Sequence, residues 1–148
     1  MSDRQWSNMP DANTFISYSH NDEDVAYKVY RFLKESLREP FFDRMSLPEM
    51  SDSDYEEAIM EALDRSRNLV LVLSDLSALE SNWINLEIKT FLHEVTEGRK
   101  PDGNVLLVVN EDVWDAIVDS NKMCLPIRLR SSEVFRMGSY RSMLLSYL

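Results

Sequence analysis

Two stretches of this chain are apolar at every position, Leu69-Val70-Leu71-Val72-Leu73 and Val105-Leu106-Leu107-Val108-Val109. Side chains of a strand point alternately to its two faces, so a strand with no polar position has to be covered on both. Neither run approaches the ~20 apolar residues that a membrane-spanning helix needs. Between them Ile84, Ile88, Phe91, Leu92 and Val95 recur at helical spacing after Ser81, a residue suited to cap a helix. Buried strands alternating with helices imply a parallel sheet clothed on both sides. With right-handed crossovers, the expected class is α/β, a five-stranded parallel doubly wound sheet.

The rest of the chain supplies the other elements. Thr14–Ser19 reads as a first strand, and Val25, Val29, Phe32, Leu33 and Leu37 mark a helix of about four turns that Pro40 stops. Phe41-Phe42-Asp43 reads as a short second strand. A polar loop, Arg44 to Asp52, leads to Ser53 and Glu56, a capping-box pair opening a helix through Ile59, Met60 and Leu63. After the fourth strand come a short helix near Asp112–Val118, a fifth strand at Leu125–Leu129 and a last helix over Ser139–Leu148. Met1 to Asn13 is a polar tail, and residues 14–148 are expected to form one domain.

Composition removes several function classes. A formal net charge of −10 argues against nucleic-acid binding, which needs a cationic face. The single Cys124 excludes an internal disulfide, and no apolar stretch at the start suits export, so cytoplasmic residence with no membrane partner is expected. The three glycines, Gly98, Gly103 and Gly138, all lie beyond the first 97 residues of the chain. A Gly-rich phosphate loop cannot be built from that set. His20, His93 and Cys124 lack ligand spacing, so no metal site is expected.

Open parallel sheets bind ligands outside the carboxyl ends of their strands, where the winding direction switches. Those ends carry Ser17, Tyr18 and Ser19, then Asp43 and Arg44, then Ser74 and Asp75. Strand alternation turns one of Ser17, Tyr18 and Ser19 toward the core. Arg44 suits a phosphate, and equally suits a solvated loop. On the helix after Ser81, with Ile84 as origin, Glu87 projects about 60° to one side of the apolar stripe, one turn beyond Trp83. A carboxylate beside an indole in low dielectric acts strongly on a nearby cation. The same position also suits a solvated boundary glutamate, and position by itself leaves the two open. Glu94 falls on nearly the same side without a special claim.

Phe15-Ile16-Ser17-Tyr18-Ser19 before an acidic helix start resembles the first box of Toll/interleukin receptor (TIR) domains. Phe42-Asp43-Arg44, Leu47-Pro48, Leu71-Val72-Leu73-Ser74 and Ser81-Asn82-Trp83-Ile84-Asn85-Leu86-Glu87-Ile88 are similar to the blocks that follow in that family. Each is weak alone; in order and at this spacing they are specific. The resemblance implies a flavodoxin-like architecture. Glu49 stands after Pro48 where the family loop usually has glycine, which restricts that backbone. With no receptor or adaptor segment in view, the chain looks more like a stand-alone, bacterial-type member.

Enzymatic members of the family hydrolyse or cyclise NAD with a glutamate four residues after a tryptophan. That implies Glu87 as catalytic residue and Trp83 as its aromatic partner. Phe15, Ser17, Tyr18, Ser19, Asp43, Arg44 and Ser74 then become candidates for lining the substrate site, with NAD as substrate and no cofactor. The products would be nicotinamide and a linear or cyclic ADP-ribose, in bacterial antiphage or stress defence, with a downstream effector protein sensing the ADP-ribose signal. The main alternative is a non-catalytic module acting by TIR–TIR self-assembly through the loop bearing Leu47, Pro48 and Met50. A phosphoacceptor receiver domain fits worse, since Arg128 stands in place of the lysine it needs on the fifth strand. Nucleoside-type glycosyl transfer on a similar sheet is a further alternative.

Overall fold

The computed structural model describes residues 13–36, 40–42 and 52–148, with the backbone alone at 52–55. The strands are β1 (Thr14–Tyr18), β2 (Pro40–Phe41), β3 (Asn68–Leu73), β4 (Asn104–Val109) and β5 (Glu133–Arg136). They form a five-stranded sheet in the order β2-β1-β3-β4-β5, with every neighbouring pair parallel. The α-helices among the described residues are α1 (Glu23–Glu35), α2 (Asp52–Arg65), α3 (Asn82–Thr96) and α4 (Glu111–Asp119).

The both-face apolar strands do what their composition requires. Leu69, Leu71, Leu73, Leu107 and Val109 join Phe15 and Phe41 beneath α2, α3 and α4. Val70, Val72, Leu106 and Val108 join Ile16 and Phe42 beneath α1 and the C-terminal segment. Winding therefore reverses between β1 and β3, the switch point of a doubly wound sheet. Among the described residues no helix is long and apolar enough to cross a membrane.

Three expectations need correction. The fifth strand is Glu133–Arg136, not Leu125–Leu129. Leu125 and Leu129 are both buried, but Pro126 between them has no N–H for a ladder, and Ile127–Leu129 closes as a 3₁₀ turn. Arg128 thus lies in that turn rather than inside a strand, and its guanidinium donates to Asn85 Oδ1 on α3. The expected last helix is instead two 3₁₀ segments, Tyr140–Ser142 and Leu144–Tyr147. Ser142 and Ser146 bond back to the carbonyls of Ser139 and Met143, which competes with helix propagation. The second strand begins at Pro40 and ends at Phe41, since a first strand position tolerates a missing N–H.

β5 closes one edge of the sheet, from Leu106↔Glu133 to Val109↔Arg136. Val134 and Phe135 are half-buried on opposite faces, and Glu133 and Arg136 are exposed. At the amino ends of β4 and β5 a cleft of about 260 Å³ is lined by Leu92, Val95, Asn104, Arg128 and Glu133 among others. It lies away from the strand ends where ligands of such sheets bind.

Candidate active site

Helix α3 leaves a turn that follows β3, and its start is held by side chains. Ser81 Oγ accepts from the Ile84 N–H at 3.4 Å, and Asn85 Nδ2 returns to the Ser81 carbonyl at 3.0 Å. From that anchor the second turn of α3 meets the carboxyl end of β1. Ser17, next to the last residue of β1, donates its hydroxyl to Glu87 Oε1 at 2.6 Å. Both are buried, Ser17 at 1% exposure and Glu87 at 4%. The separation is that of a short O–H···O hydrogen bond.

Glu87 is therefore not a solvated boundary residue. Helix α3 packs on α2 as well as on the sheet, so its buried arc is wider than its apolar stripe. Glu94, on the same side, is also buried, but it pairs with Arg99 at 2.9 Å. Trp83, one turn before Glu87, is half-buried against the core on that flank of the sheet.

The other candidates separate by strand alternation. Phe15 is 2% exposed and its ring stacks on Phe41 at 5.2 Å, so it is a core residue below Ser17. Tyr18 points to the opposite face, where it stacks on Phe42 at 5.1 Å. Ser19 Oγ donates to Asp22 Oδ2 at 3.2 Å, and the same oxygen accepts from the Ser74 N–H at 3.3 Å. The Ser74 carbonyl in turn accepts from Asn110 Nδ2 at 2.8 Å. Asp75 is exposed and caps the following turn; the Ser77 backbone N–H holds its carboxyl below the ordinary value. Asp43 and Arg44 lie outside the described residues, as do Leu47, Pro48, Glu49 and Met50.

Asp22 and Asn110 are the residues that sequence reasoning passed over. Asp22 reads as part of an acidic helix start, yet it is 2% exposed and joins the ends of β1 and β3. Asp22→Ala is expected to lower unfolding stability by about 1–3 kcal/mol, because it leaves the Ser74 N–H and the Ser19 hydroxyl without their acceptor. Asp22→Asn retains an acceptor oxygen and should lose less than half of that. Urea denaturation of the pair checks it, and equal losses for both would refute the bonding argument.

A family model described as TIR domain matches residues 14–137, from the first residue of β1 to just past β5. No curated protein matches the chain. Because the model spans every strand of a sheet whose order runs β2-β1-β3-β4-β5, the chain belongs to the TIR domain family.

Proposed function

We propose that this TIR domain cleaves the nicotinamide–ribose bond of NAD, with Glu87 as the catalytic carboxylate. The observation that carries the reading is a buried glutamate held by Ser17 at the carboxyl end of β1, beside the switch point of the sheet. In NAD the nicotinamide is already cationic. When the bond from ribose C1′ to the pyridine nitrogen breaks, the electron pair leaves with that nitrogen and nicotinamide departs neutral, without a general acid. The barrier lies in the oxocarbenium-like ribose left behind. A fixed carboxylate in low dielectric steadies that cation and can hold the ribose hydroxyls. Water adding at C1′ and releasing a proton gives ADP-ribose; attack from within the nucleotide gives a cyclic product.

In this reading Trp83 walls one side of the pocket, and Ser74, Asp43 and Arg44 contact ribose or phosphate. Ser19, held by Asp22, stands near the same strand end. Copies of the domain assemble through TIR–TIR contacts, and the ADP-ribose product signals to an effector protein in bacterial antiphage or stress defence. The cytoplasm suits an exposed free thiol such as Cys124.

Purified protein incubated with NAD should release nicotinamide, resolved from the ribosyl products by chromatography, and Glu87→Ala should not. Absence of nicotinamide from the wild type, even when concentrated or crowded, would favour the self-assembling scaffold instead.

A further inference from the structure

We infer that Ser17 is a positioning residue for Glu87 rather than a donor to the substrate, an assignment that rests on the proposed NAD cleavage. A serine hydroxyl has a single proton to give, and an ionised carboxylate only accepts. The 2.6 Å contact therefore directs the Ser17 proton to Glu87 Oε1, and burial at 1% exposure keeps that hydroxyl away from solvent.

The strand explains why this position can do so. Phe15 and Ser17 face the α3 side of β1, while Ile16 and Tyr18 face the α1 side. Phe15 fills the core, and one step along the same face the side chain shrinks to a hydroxymethyl group. Directly opposite on β3 stands Leu71, wholly buried and without a polar atom. Ser17 is thus the polar side chain of β1 on that face, and it is bonded to the helix that carries Glu87. The hydrogen bond from Ser17 selects one rotamer of Glu87, so the carboxylate is in place before the ribose cation develops.

The test compares wild type, Ser17→Ala and Ser17→Thr in nicotinamide release from NAD, with thermal melting to confirm folding. Ser17→Ala should lower kcat by about ten- to a hundredfold with KM changed less than about threefold, since the bond lost is one to a charged group. Ser17→Thr keeps the hydroxyl on a strand-compatible side chain and should recover most of kcat. If the alanine variant does not fold, Ser17→Cys, close in size and a weak donor, should show an intermediate kcat at unchanged KM. A raised KM with kcat preserved would mean that Ser17 binds substrate directly, and would overturn the inference. So would a folded alanine variant with wild-type kcat. A wild type that releases no nicotinamide defeats the functional reading itself, and the inference with it; an active wild type with an indifferent Ser17 defeats the inference alone.

Discussion

Glu87→Gln should lower nicotinamide release from NAD by about a hundred- to a thousandfold while leaving the fold in place, the usual cost of removing one preorganised electrostatic group. Glutamine keeps the length and shape of the side chain, and its Oε1 still accepts from Ser17 at the position that Glu87 Oε1 occupies. What disappears is the charge, so the comparison isolates electrostatic stabilisation from packing. Glu87→Ala should be equally inactive and also less stable, by about 1–3 kcal/mol, because it leaves the Ser17 hydroxyl buried without an acceptor. Initial rates and melting curves on the three proteins separate the two effects. A Glu87→Gln variant retaining more than a tenth of wild-type turnover would remove Glu87 from the mechanism.

The largest effect on stability is expected far from that carboxylate, at Lys100. Its ammonium is buried in a residue 6% exposed, and it donates to the carbonyls of Leu63 at 2.9 Å, Asp64 at 2.7 Å and Ser66. It also lies 5.0 Å from the centre of the Phe91 ring. These carbonyls lie at the end of α2 and just past it, where a helix leaves its last acceptors unpaired and where a positive charge is favoured. Burial pushes the Lys100 pKa below 10.5, and Asp64 and Glu94 work against that shift. Lys100→Met keeps most of the stem but strands three acceptors. We expect unfolding stability to fall by about 3–5 kcal/mol, with hydrogen bonds to a charged group lost and water only partly replacing them. For a domain of this size that lowers the melting temperature by on the order of 10 °C. A melting point within about 2 °C of wild type would show that the contacts are dispensable.

What the chain disclosed in advance follows from how each element is stabilised. β3 and β4 were legible because central strands of a parallel sheet are apolar on both faces, a pattern few other structures require. Ser81 was legible because its capping role is local, and the structure keeps it. Glu87 was legible as a position through its spacing from Trp83, but its burial was not, because that depends on α2 and β1 meeting the same helix. β5 was hidden for the opposite reason: an edge strand with Glu133 and Arg136 at its ends carries no apolar run. The pair Leu125 and Leu129 drew attention away from it, although their spacing is that of one helical turn. Asp22 and Lys100 satisfy backbone groups far away in sequence, Asp22 on Ser74 and Lys100 on Leu63, Asp64 and Ser66. No periodicity announces such bonds.

The brevity of β5 bears on how copies of this protein could join. A sheet grows sideways only if its outermost strand offers a long, flat row of amides and carbonyls to a newcomer. Here that row is four residues long, with a charged side chain at each end. Fibrils with continuous hydrogen bonding from one molecule to the next are disfavoured along this border. A polymer that grew along this border should therefore stain negative with amyloid dyes.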